Sequence, residues 1–130
     1  MIVSKQFYPH ESDNRIMMKK DRLEINSWTN DLEFLNEEIE YFLDIEDKIL
    51  HNSNIYQQLH GTRRENTLLL STLYRYEGTV GNAIECDTTD CDAYYLSHHE
   101  KKRETYNSHI QKYRILKTKI LSQILLKNQI

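Results

Sequence analysis

Pro9 is the only proline in the sequence, so nothing after it forbids a long helix. Glycine is almost as scarce, at Gly61, Gly78 and Gly81 alone. A sheet protein of 130 residues needs more turn residues than that. The chain is therefore expected to be helical throughout. A hydrophobic fraction of 38% beside a charged fraction of 28% suits an elongated bundle, whose surface is large relative to its core.

The apolar pattern divides this material into three helices, at about 25–52, 55–84 and 91–127. In the first, Ile25, Trp28, Leu32, Leu35, Ile39 and Phe42 alternate spacings of three and four, and the seam continues through Glu46 to Ile49. That alternation is the heptad seam of a left-handed coiled coil. The polar run His51-Asn52-Ser53-Asn54 reads as a helix end and a short turn. The second seam runs through Ile55, Leu59, Thr62, Asn66, Leu69, Leu73, Tyr76, Val80 and Ala83, with Asn66 at a position where a buried amide fixes register. Gly78 and Gly81 lie late in it and are expected to let its end fray or bend. The third seam begins with Leu96, His99, Arg103, Tyr106, Ile110 and Tyr113, and His99 and Arg103 predict that this half is not fully buried. Residues 1–24 carry enough apolar side chains to dock as an arm or a short extra helix.

Charge supports the same architecture. Residues 25–53 carry eight acidic residues and one lysine, whereas residues 91–130 carry eight basic and three acidic residues. Complementary flanks of this kind set which helices pair. Short connections make helices one and two antiparallel, and two and three likewise, so one and three lie parallel and adjacent. The fold class expected is an all-α, antiparallel three-helix coiled-coil bundle.

Several functions are disfavoured at this level. A net charge of −3 argues against a general nucleic-acid binder. The basic and tyrosine-interleaved run from Lys101 to Lys119 could track phosphates, but pairing with the acidic first helix accounts for it. No stretch has the roughly 20 apolar residues of a bilayer span, and the first residues do not read as a signal peptide. A cytoplasmic location and reduced thiols at Cys86 and Cys91 follow as expectations. The Glu-x-x-His pairs of di-iron bundles, the His-x-x-x-His and His-x-x-x-Glu of haemerythrin-like sites, and His-Glu-x-x-His are all missing from the sequence. No catalytic group and no cofactor are assigned.

The remaining site candidates are modest. Cys86 and Cys91 stand five positions apart in an acidic turn, close to zinc-ligand spacing, but need partners from elsewhere. His98 and His99, with His109, Glu100 and Glu104, crowd the wet half of the third helix and are expected mainly in solvent. Cys86, Cys91, His98 and His99 are thus the metal-ligand candidates. Glu46, in the first seam, is expected near a bundle end, reaching water or pairing with Arg63 or Arg64.

Trp28, Leu32, Phe34, Glu37, Ile39 and Phe42 together resemble the first helix of a group of small uncharacterised bacterial bundle proteins. The resemblance implies the same all-helical fold and transfers no functional residue. Tyr41, Tyr74, Tyr94 and Tyr95 fall off the seams and supply aromatic surface beyond what one thin core needs. The leading expectation is a non-enzymatic interaction or assembly module, pairing with itself or with another helical protein. The alternative is a metal-binding or thiol-redox protein centred on Cys86, Cys91 and the third-helix histidines.

Overall fold

The computed structural model of the chain describes residues 13–85 and 89–128. They form a three-helix bundle: α1 (Asp13–Ile45), which runs on into one π turn (Glu46–Leu50), α2 (Ser53–Glu85) and α3 (Thr89–Asn128). At about 1.5 Å per residue, α1 and α2 are each about 50 Å long. Arg22 faces Glu77 and Arg63 faces Glu40, which makes α1 and α2 antiparallel. α3 returns parallel to α1.

Met18, Ile25, Leu32, Ile39, Ile55, Leu59, Leu73, Val80 and Ile120 are wholly enclosed along the axis. Each such burial contributes about 1.5–3 kcal/mol, so the shared seam rather than intrinsic propensity holds these helices.

Three local features depart from the sequence reading. Residues 13–24 are the first turns of α1, not an arm or a separate helix. The heptad seam continues backwards through Asp21 to the buried Met18, and the carboxylate at Asp21 interrupts the apolar pattern without interrupting the helix. Gly78 and Gly81 lie inside α2, which continues to Glu85, in line with the expected end at about 84. Leu50 is buried and Ile49 is 47% exposed, because the π turn inserts one residue and rotates the seam forward. Finally, His99 is buried and Arg103 half-buried, because the added turns of α1 cover that end of α3.

The turn between α1 and α2 is closed by side chains. His51 takes the left-handed conformation at φ 48°, and its N–H donates to the Glu46 carbonyl at 2.8 Å. Asn52 caps α2, its Oδ1 accepting from the Ile55 N–H at 3.1 Å. Glu46 is buried at this bundle end and accepts from the Asn52 N–H at 3.0 Å, while Arg63 pairs with Glu40 instead.

Candidate functional site

α1 and α3 are joined by a ladder with a seven-residue repeat. Glu24, Asp31 and Glu38 on α1 accept in turn from His99, Tyr106 and Tyr113 on α3, and each pair is 75 positions apart. Arg103 and Lys117 add links of 79 positions to Glu24 and Glu38. The constant offset shows that the two helices run parallel in one register. Burial and the hydrogen bonds to carboxylates push the Tyr106 and Tyr113 hydroxyls well above the usual tyrosine range. Both therefore remain donors at neutral pH. Of the basic and aromatic side chains that might have tracked phosphates, Arg103, Tyr106, Tyr113 and Lys117 are thus turned onto α1.

The densest group lies at the first rung. The His99 Nε2 sits 2.9 Å from Glu24 Oε1 and 3.6 Å from Asp21 Oδ1. Nδ1 on the other side of the ring lies 2.8 Å from the Tyr76 hydroxyl of α2. The ring stacks on Trp28 at 5.4 Å, and Tyr106 stacks on the far side of the same indole at 5.2 Å. Arg103 grips Glu24 with Nη2 at 2.9 Å and Nε at 3.3 Å, and its Nη1 also reaches Glu100. Burial raises the Glu24 carboxyl, but the hydrogen bonds from Arg103 and His99 outweigh it and hold the group below the usual glutamate range. One donor atom from each of Asp21, Glu24 and His99 falls within 4.8 Å of the others.

A second buried group lies deeper in the bundle. Asn66 is completely enclosed on α2, and its Nδ2 donates to the Leu32 carbonyl and to Asn36 Oδ1, both at 2.8 Å. A carbonyl can only accept, so the amide orientation is fixed and Oδ1 must face His109, whose Nε2 lies 2.8 Å away. His109 therefore carries its proton on Nε2. Burial is the main reason its basicity falls below the usual histidine range, with Lys112 adding to that and Glu65 opposing it. One amide joins all three helices.

Two surfaces remain. Between α2 and α3 a groove of about 490 Å³ opens over Leu68 and Leu69, edged by Lys102, Lys112 and the hydroxyls of Thr72 and Ser108. It continues towards Arg75 and His98 at one end and towards Ile115 at the other. Gly61, Thr62 and Thr72 face this seam from α2, and small side chains there leave the helices incompletely filled. On the opposite side of the bundle, Leu23, Phe34 and Tyr41 line the outer surface of α1, at 69%, 63% and 71% exposure. Spacings of 11 and 7 place them within about 20° of one line along the helix. The exposed carboxylates Glu33, Glu37 and Asp44 flank Phe34 and Tyr41.

Among the described metal-ligand candidates, His98 and His99, only His99 belongs to a group of convergent donors. His98 is half-buried at the α2–α3 groove, where it lines the wall with Arg75, Tyr76 and Lys102. Cys86 lies outside the described residues, as do the side chains of Cys91, Tyr94 and Tyr95. His99 and His109 are buried rather than solvent-facing. Asp21 and Glu24 are not legible as site residues while residues 1–24 read as an arm or a short extra helix rather than as the first turns of α1; the Met18–Ile25 heptad is the available signal. No helix among the described residues is long and apolar enough to cross a membrane. No protein-family model matches the chain, and neither a curated protein nor a solved structure is significantly similar to it.

Proposed function

We propose that this protein is a non-enzymatic assembly module that binds further copies of itself, the outer face of α1 docking into the α2–α3 groove of a neighbour. The observation that carries this reading is the line formed by Leu23, Phe34 and Tyr41, which faces away from the core. Large aromatic side chains in register on a helix are the anchors that helix-in-groove recognition uses. The groove offers an apolar surface at Leu68 and Leu69, and Lys102 and Lys112 outnumber Glu65 in its lining. Charge selects this pairing over α1 against α1, which would bring Glu33, Glu37 and Asp44 against their own copies. Two different faces make a heterologous contact, so the assembly grows as a ring or an open chain.

Sedimentation velocity across a wide concentration range tests this. The unaltered chain is expected to associate. F34A/Y41A is expected to weaken association by more than about ten-fold, since both anchors are lost. K102E/K112E should do the same, and its mixture with E37K/D44K should recover mixed assemblies. A chain that stays monomeric at every concentration overturns the proposal.

A further inference from the structure

We infer that Asp21, Glu24 and His99 form a binding site for a first-row divalent cation of the zinc type, which fastens α3 to the start of α1. This goes beyond self-assembly and rests on different residues. The first ground is spacing. Bonds of about 2.0–2.1 Å in a tetrahedral site set neighbouring donor atoms about 3.3 Å apart. The separations from His99 Nε2, 2.9 Å to Glu24 and 3.6 Å to Asp21, bracket that value. All three donors fall within 4.8 Å of one another, so an ion needs only small side-chain movements to reach them.

The second ground is the support behind the imidazole. A metal-binding histidine ordinarily uses its other ring nitrogen to hold a polar partner, which fixes the ring. Here Nδ1 already meets the Tyr76 hydroxyl at 2.8 Å, and Trp28 stacks on the ring face. Both supports are buried. The ring is therefore aimed before any ion arrives.

The third ground is charge. Glu24 and Glu100 pair with the Arg103 guanidinium and Asp21 acts on it electrostatically, so three carboxylates bear on this one guanidinium. Arg103 need not leave. It can keep Glu24 Oε2 and Glu100 while Glu24 Oε1 turns to the ion, acting as an outer partner that orients the ligand. Coordination replaces the proton on Nε2. In the neutral ring that proton is then carried on Nδ1 and donated to the Tyr76 oxygen, reversing the direction of that hydrogen bond. An imidazolium would release one proton on binding. One imidazole and two carboxylates suit zinc, cobalt or manganese, and water completes the shell.

The test uses the full chain, stripped with a chelator and titrated with Co²⁺ while visible absorption is followed, then with Zn²⁺ as competitor. A saturable one-to-one cobalt spectrum, displaced by zinc, is expected. D21N keeps the Glu24–Arg103 pair and, with its helicity checked by circular dichroism, should weaken binding at least about ten-fold; Y76F should weaken it by about 10- to 100-fold. C86S/C91S should leave the spectrum unchanged. The inference is overturned by no saturable spectrum, by D21N binding like the unaltered chain, or by a sulfur-to-cobalt band that C86S/C91S removes. None of these readouts depends on self-association.

Discussion

Asn66 and His109 lie 43 positions apart in the chain and meet at 2.8 Å in the bundle interior, the histidine donating to the amide oxygen. With Leu32 and Asn36 on the other side of the same amide, Asn66 makes three hydrogen bonds here, and among the described residues no buried side-chain polar atom lacks a partner. A buried amide of this kind stabilises only while all its partners are present.

N66L should therefore be strongly destabilising. It strands the His109 N–H and removes the donor to the Leu32 carbonyl, a loss of about 2–3 kcal/mol. Urea unfolding with an unchanged m-value is the appropriate measurement. N66L/H109L removes the stranded donor too and should recover part of that loss. A single mutant as stable as the parent would show that the network contributes nothing.

Acid should weaken the fold through His109. Its basicity is depressed in the folded state, so below about pH 6.5 the unfolded chain takes up a proton that the folded chain refuses. Stability from this group is full above that pH and falls as the pH drops towards the folded value. H109Q keeps a donor for Asn66 and does not titrate. Melting temperatures at pH 7.5 and pH 5 should differ less in H109Q than in the parent. Glu24, shifted downward from 4.5, adds its own loss only at more acid pH.

Gly61 and Gly78 should be replaceable with benefit. Both sit inside α2, and a Cβ at either meets nothing within 4 Å. Alanine should raise stability by up to about 1 kcal/mol at each position, because glycine is the costlier helix residue. Thermal unfolding checks this, and the two gains should add. A loss at either site would mean that the α2 backbone there is not helical.

The π turn should depend on Glu46 as an acceptor rather than as a charge. E46Q retains an oxygen for the Asn52 N–H and should cost little, whereas E46A leaves that donor unmet at the bundle end and should cost about 1–2 kcal/mol. H51G removes a side chain from a left-handed position and should gain about 0.5–1 kcal/mol. Chemical denaturation of the three variants separates these effects.

Much of this architecture is legible in one dimension. The scarcity of proline and glycine, with apolar side chains at alternating spacings of three and four, specifies helices that share one narrow core. Opposite charge on the outer helices specifies which of them pair. Those are local properties, because side chains three and four apart lie on one helix face whatever else the chain does.

What the chain could not disclose locally depends on partners distant in sequence. Asp21 reads as a break in the apolar pattern until α3 places His99 against it, and His99 reads as a wet surface residue until the first turns of α1 cover it. On the polar first half of α3, His99 is buried and Arg103 and Tyr106 are half-buried because each meets an acceptor on α1 that lies 75 or 79 positions away. The π turn likewise puts Leu50 rather than Ile49 in the core. Hydrophobic burial is roughly additive along a face and so leaves a periodic trace in sequence, whereas a buried polar group is tolerated only when a specific partner arrives in the right geometry. Only the packed tertiary structure supplies that partner.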